Sequence, residues 1–571
     1  MKRKNLFLSL ISSVVVAIAI ITVTVCTIIK PKNNNNTINP GADNINITDN
    51  SKQYDLDNQY NRNGSEEYPY IIYSADSFKT LVSRFGGEKR VITRPVTEEV
   101  QVDGEIKTQN KLDADGHLIF EKVLDEDGNE TYGVYNFEFA NDVDFTGVEY
   151  ITLFNSGKPF IGNIDGKGFA LKNVAINVTT ENLESKFSYA DAGKRYAHIA
   201  LFGEISGSTL KNITISSLSV NVASDVNGFI SGVQYDFAGG QFVEMFVAGV
   251  AGVANDATLS NVTLDAAVSG SAYYVSIDTN DNAMGGVVAV AQNLTVENSK
   301  INVTISANAG SEYLLGGIAA YGRGAKVTSS EVNVAIETSY SRRLSMAGMF
   351  AYARALEVSD SSVNFTLTET ASQESRDSYV QSLTKDAEGN DITAEAGKMS
   401  TAAGIACIIR ANDSTQKTVI SNVTVKSTID FDCIYAGAVL DVYSKNPTTK
   451  ELVKLTDVVV DVNANVLALH AFARQLVATT VSYTAEKVDG YFNIKVAGSA
   501  KLANYSSKAD ETTVVTRGGA TIFTAVDRKY VDYSFKDLYI QATAQVDSAF
   551  KAGFDKLSIA IGAFGSYEIV G

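Results

Sequence analysis

From residue 285 to residue 318 the chain runs GGVVAVAQNLTVENSKINVTISANAGSEYLLGGI, a cycle that begins and ends on the same Gly-Gly pair. Within it, Ile301, Val303 and Ile305 alternate with Asn302 and Thr304, which is the period-two pattern of a strand with one buried face. The next cycle carries Val332, Val334 and Ile336 in the same places, and the one after it Val363, Phe365 and Leu367. From Gly286 to Gly317 to Gly348 the step is 31 residues each time.

Working outward, two blocks recur in fixed order. The first is a glycine among small and apolar residues: Leu201-Phe202-Gly203, Val247-Ala248-Gly249, Gly285-Gly286-Val287, Gly316-Gly317-Ile318, Ala347-Gly348-Met349, Ala403-Gly404-Ile405 and Ala436-Gly437-Ala438. The second sets an apolar residue two before an Asn, Ser or Asp, with another apolar residue three beyond it. Its instances are Leu171/Asn173/Ile176, Leu210/Asn212/Ile215, Leu259/Asn261/Leu264, Val296/Asn298/Ile301, Val327/Ser329/Val332, Val358/Asp360/Val363, Ile420/Asn422/Val425 and Leu455/Asp457/Val460, with a degenerate ninth at Leu476/Ala478/Val481. One such unit is too small to bury its own apolar face, so units must stack on one another. Glycine suits a bend or a close approach of neighbouring chains, and Asn, Ser or Asp suits a turn. The expected fold is all-β, a right-handed parallel β-helix (solenoid) of about eight to nine coils with a cap at each end. A leucine-rich horseshoe lacks its helical half here, and fixed-step repetition argues against a β-sandwich.

The repeats resemble the GLUG-type repeat of bacterial surface adhesins, which also lies beside the catalytic region of immunoglobulin A peptidases. Tyr68-Pro69-Tyr70-Ile71-Ile72-Tyr73-Ser74-Ala75-Asp76-Ser77-Phe78 is similar to the opening of that family. Phe139-Ala140-Asn141-Asp142-Val143-Asp144-Phe145 and Phe160-Ile161-Gly162-Asn163-Ile164-Asp165-Gly166-Lys167-Gly168 are similar to the segments that follow it. The resemblance covers roughly residues 65–485 and implies an adhesive surface module. It departs from the family where Leu–any–Gly becomes Gly-Val/Ile-Ala, and in an insert of about 50 residues.

Around this body the chain is organised by composition. Lys2, Arg3 and Lys4 precede 24 uncharged residues, Leu6–Ile29, a helix of about 36 Å that would cross a hydrocarbon layer of about 30 Å. Residues 1–30 are expected to be a signal anchor that leaves the body outside the cell membrane; a cleaved signal, or a lipoprotein beginning at Cys26, are the alternatives. Residues 31–64 form a polar spacer, 65–158 an N-terminal cap with an inserted β-meander at about 86–135, 159–485 the repeats with a projecting loop at about 370–398, and 486–571 a C-terminal cap region. In that last region Asp532–Ile540 and Leu557–Ile561 are expected as strands and Ala542–Phe554 as a short helix.

Chemistry narrows the function. A net charge of −17 argues against nucleic acid or anionic lipid as a partner, because both need a basic face, and no nucleic-acid partner is expected. The histidines His117, His198 and His470 stand far apart and outside any His-Glu-x-x-His motif, so the peptidase activity of larger relatives does not carry over. Asp142, Asp144 and Asp165 are the carboxylates a polysaccharide-cleaving site would draw on; capping turns is the simpler role. Asp113-Ala114-Asp115-Gly116 and Asp125-Glu126-Asp127-Gly128 lack the downstream ligand of a calcium loop and are expected to be turns. Cys407 and Cys433 are not indicated as a disulfide. No catalytic, metal or cofactor-binding residue is assigned and no cofactor is expected. The partners expected are the cell membrane, through the N-terminal segment, and a host, matrix or glycan ligand. A carbohydrate-active enzyme is the competing function.

Overall fold

The computed structural model describes residues 61–546 apart from short segments, the longest at 227–242, 271–281, 497–504 and 507–514, with side chains described as far as residue 466. The apolar run 6–29, Cys26 and the strand expected at Leu557–Ile561 lie outside the described residues. The chain divides into two compact units.

The described part of the first unit is Pro95–Glu121. Strands Thr97–Val102 and Glu105–Asn110 pair antiparallel around Asp103-Gly104. Both turn residues have positive φ, 53° and 84°, the backbone a two-residue hairpin with right-handed strand twist requires.

The second unit is built mainly of parallel strands in sheets of seventeen, ten and eight members. In the long sheet Lys300–Ala307 pairs with Glu331–Thr338, which pairs with Glu357–Glu369, so that Ile301, Val332 and Val363 stand side by side. Inward residues of these strands are buried (Ile301, Val303, Ile305 and their partners), and the intervening Asn, Thr and Ser residues face outward. The other two sheets pair in the same way, for example Val288↔Ala319↔Phe350 and Met284↔Leu315↔Met346.

Corners are set by backbone conformation. Asn212, Asn261, Asn298, Ser329, Asp360, Asn422 and Asp457 all have φ between 49° and 54°, the left-handed region that Asn and Asp tolerate best after glycine. The Asn212 amide donates to Asp165 Oδ1 (3.0 Å), Asn261 to Asn212 Oδ1 (2.9 Å) and Asn422 to Asp360 Oδ1 (2.7 Å). Beside them, Ser299 N donates to Ser330 Oγ and Ser330 N to Ser361 Oγ, both at 3.1 Å, so buried corner amides are satisfied from the neighbouring strand. Asn261→Ala should destabilise the protein by about 1–2 kcal/mol, through the left-handed backbone and the lost amide bond. Asn261→Gly should cost less, and thermal denaturation of the pair checks the order.

Two sequence assignments shift in register. Leu171 pairs with Ile215 and Ile176 with Val220, so Asn173 belongs to the following corner, opposite Ser217. The corner before Asn212 is Asp165-Gly166-Lys167, with Lys167 at φ 51°. Gly203 sits opposite Gly252, and Ala200 holds the place equivalent to Gly249.

The expected fold class is corrected. The strands include a closed six-stranded parallel β-barrel together with many further sheets, and they do not form a clear solenoid of eight to nine coils. Near the N-terminal end short strands pair on both sides: Asn163–Asp165 lies between Asn136–Glu138 and Thr209–Lys211, and Asn136–Phe139 also pairs with Tyr70–Ile72. Within the region expected to cap the C-terminal end, Val531–Val546 continues the long sheet in parallel with Val481–Val496, covering the strand expected at Asp532–Ile540 and making the start of the helix expected from Ala542 strand. No helix among the described residues is long and apolar enough to cross a membrane.

Two longer helices accompany the strands of the second unit. Ala75–Phe85 starts at a capping box of Ser74 and Ser77, and buries Phe78, Leu81 and Val82. The second, Gln373–Thr384, occupies the insertion expected to be a loop.

Candidate functional site

The outward face of the short strands near the N-terminal end carries a notch of about 170 Å³, lined by Glu66, Asn136, Phe137, Glu138, Asn163, Asp165, Thr209 and Lys211. Three parallel strands each place two outward residues there, Asn136/Glu138, Asn163/Asp165 and Thr209/Lys211, because every second residue of a strand shares a face. The amides form a chain: Asn136 Nδ2 donates to Gly64 O (3.2 Å), Asn163 Nδ2 to Asn136 Oδ1 (3.0 Å), and Thr209 N to Asn163 Oδ1 (3.0 Å). The charges form a second row. Lys167 pairs with Glu138 at 2.7 Å and with Asp165 at 3.6 Å, and Lys211 approaches Asp165 at 3.6 Å.

Burial pushes the Asp165 carboxyl up, but the Asn212 amide, the Lys167 N–H and the two ammonium groups outweigh it and hold Asp165 below the usual carboxylate range. Asp142 and Asp144 act in the same way one strand away. Asp142 accepts from the Lys172 ammonium and from Ala170 N (2.9 Å), and both bonds hold it low. Asp144 accepts from Asn173 Nδ2 (2.9 Å) and from Thr146 Oγ1 and N (2.7 and 2.8 Å), which lower it likewise. Of the three carboxylates read from the sequence, only Asp165 lines the notch. All three are pinned as anions, whereas a general acid at neutral pH needs a raised pKa.

His117 lies in an exposed turn, where its ligand atom and those of Asp113 and Asp115 come within 4.8 Å of one another. Asp113 Oδ1 accepts from the N–H groups of Asp115 (2.9 Å) and His117 (2.8 Å), ahead of Gly116 at φ 85°. Asp125 does the same toward Asp127 and Asn129, and Asp386 toward Glu388 and Asn390, each with a left-handed glycine. The same carboxylate-closed turn occurs three times among the described residues, and of these the first alone contains a histidine, so turn closure accounts for the acids.

His198 is buried, edge-on to Phe246 (4.7 Å) and Tyr189 (5.4 Å), and its Nδ1 has no hydrogen-bond partner. Burial lowers its pKa to about 4. The unfolded chain therefore binds a proton that the folded one refuses. Stability should fall as pH drops from about 6.5 through about 4, by about 3 kcal/mol at the lower end. His198→Phe should remove that component, which the difference between urea midpoints of the two proteins across this range would show. The side chain of His470 lies outside the described residues. Cys407 and Cys433 are both buried free thiols; Cys407 Sγ donates to Thr401 Oγ1 at 3.2 Å, and burial pushes Cys433 well above the usual thiol range.

The residues that sequence reading passed over are Glu66, Asn136, Glu138, Thr209 and Lys211. They come from three separate segments, and those on strands are brought together by register. Comparison with known protein families, curated proteins and solved structures finds no match for the chain.

Proposed function

We propose that this chain is a non-enzymatic cell-surface protein that displays its β-sheet body for adhesion or ligand binding, held at the membrane by its N-terminal apolar run. In this reading it is a member of the GLUG-repeat surface proteins and meets a host, matrix or glycan ligand. The observation that carries the reading is the state of the carboxylates: Asp142, Asp144 and Asp165 serve as anionic pins for turns and ion pairs, and none is held protonated for acid catalysis. The outward amides, hydroxyls and alternating charges around the notch supply donors and acceptors of the kind that polyhydroxylated ligands use.

The test pairs a glycan array with a hydrolase and lyase screen on the full-length protein. Binding without turnover is expected. Turnover lost in Asp144→Asn or Asp165→Asn would overturn the reading and make the protein a carbohydrate-active enzyme.

A further inference from the structure

The sheet of eight parallel strands carries a row of outward charge. Gln292, Arg323 and Arg354 stand in register on successive strands. Ile409 pairs with Ala353, so Arg410 takes the next place in that row along the backbone. Two residues back on the same strands, and on the same face, lie Tyr321 and Tyr352. Their rings stack at 5.2 Å and 21°, and the Arg354 guanidinium lies 5.8 Å from both ring centres. Attraction between the cation and the ring faces braces the planar fork of Arg354.

Partners in register on neighbouring strands stand about 4.8 Å apart, and like charges placed there repel. The long sheet matches such neighbours by sign. Lys300 faces Glu331 at 3.2 Å and Lys326 faces Glu357 at 2.9 Å, each pair in register. Where two acids meet, Glu138 beside Asp165, Lys167 bridges them at 2.7 and 3.6 Å. Arg323 instead faces Arg354. It is exposed, and it has no ion pair among the described residues.

We propose that this row binds an acidic glycan, with the carboxylate or sulfate of one sugar held between the guanidinium groups of Arg323 and Arg354. The inference rests on the reading of the body as a ligand-binding surface and narrows its ligand. Arginine forks offer paired N–H groups to carboxylate or sulfate oxygens, so one anion relieves the repulsion between the two strands. Gln292, exposed next in the row, adds an amide donor and acceptor for sugar hydroxyls. A nucleic acid would need a longer basic track, because its affinity grows with each phosphate neutralised. The chain carries a net charge of −17, but a screening length of about 8 Å at physiological salt keeps distant carboxylates from repelling an anion bound here.

Titration of the full-length protein at about 0.15 M salt tests this with a chondroitin sulfate oligosaccharide, an oligogalacturonate, neutral dextran, and poly-glutamate as an anion that is not a sugar. At least one acidic sugar is expected to bind, with dextran and poly-glutamate weaker by roughly tenfold or more. Arg323→Gln, at an exposed position, should weaken the acidic sugar roughly tenfold. Arg354→Lys keeps the charge but loses the fork, and should weaken it as well. Lys326→Gln removes an equal charge three residues along the chain, from a lysine already paired with Glu357, and should change binding by less than about twofold. Unchanged affinity in Arg323→Gln, or an equal loss in Lys326→Gln, would overturn the inference. Poly-glutamate bound as tightly as the sugars would do the same. Binding of dextran alone would remove the acidic site and leave the body a glycan binder of another kind. With no probe bound, the acidic site falls; a hit on the glycan array would then keep the broader reading, and a blank array would remove its glycan ligand too.

Discussion

Gly317→Ala is expected to destabilise the protein by about 3 kcal/mol or more, far beyond the usual cost of adding one methyl group. A Cβ at this position would lie 2.2 Å from Gly348 O and 2.2 Å from Val334 Cγ2. The valine could rotate, but the carbonyl belongs to the backbone of the neighbouring strand. The same collision recurs along the column: Gly249 against Gly286 O (2.5 Å), Gly286 against Gly317 O (2.3 Å), Gly348 against Gly404 O (2.3 Å) and Gly404 against Gly437 O (2.2 Å). None of these glycines has a positive φ, so the requirement is steric and not conformational. Gly133→Ala is the control, since its Cβ would meet nothing closer than 3.5 Å and should cost no more than about 0.5 kcal/mol. Equilibrium unfolding in denaturant measures both; equal midpoints would remove the close approach from the explanation of the glycine column.

Phe160→Ala is the second large effect, with an expected loss of about 3–5 kcal/mol. The ring is completely buried, stacks on Phe202 at 5.1 Å and 19°, and lies 5.4 Å from Phe154 and 6.2 Å from Phe137. Gly86, at the end of the helix Ala75–Phe85, lets this ring pack flush: a Cβ there would come within 2.5 Å of it. The backbone of Phe160 is equally committed, donating to Glu204 O and accepting from Ser206 N and the Ser208 hydroxyl, all at 2.8 Å. Removal of the ring therefore leaves a cavity beside a backbone held in place by hydrogen bonds, which closes only as far as the surrounding rings can move. Phe160→Leu should cost about half as much, as read from the urea midpoint. An alanine variant as stable as the leucine variant would contradict this picture of the N-terminal core.

The sequence made legible whatever depends on which side of a strand is wet. Ile301, Val303 and Ile305 alternate because one face is buried, and Asn261 or Asn422 recurs because a corner requires a left-handed residue. Sequence spacing does not say which strand closes on which. The pattern Leu171/Asn173/Ile176 matches that of Leu210/Asn212/Ile215, yet it falls one corner later, since both corners ask for the same chemistry. Closure of strands into a barrel is likewise invisible to periodicity, which reports burial and not partnership. The helix Gln373–Thr384 was hidden because, among its described side chains, Tyr379 and Leu383 mark its buried side within a largely polar segment. In the candidate site, Asp165 could be found from its motif. Glu138 and Lys211 could not, because they meet it only through register across intervals of 27 and 46 residues.

Register is the claim on which the columns and the notch rest, and paired cysteines measure it directly. Thr304 and Ala335 are partners on the outward face of adjacent parallel strands, and Thr366 is the next member of that row. Partner Cα atoms in a parallel pair stand about 4.8 Å apart, within disulfide reach, whereas residues two strands apart are about 9.6 Å apart and beyond it. Thr304→Cys with Ala335→Cys should cross-link on mild oxidation, with the bond located by mass spectrometry. Thr304→Cys with Thr366→Cys should not. Cross-linking of the second pair, or failure of the first in folded protein, would contradict the account.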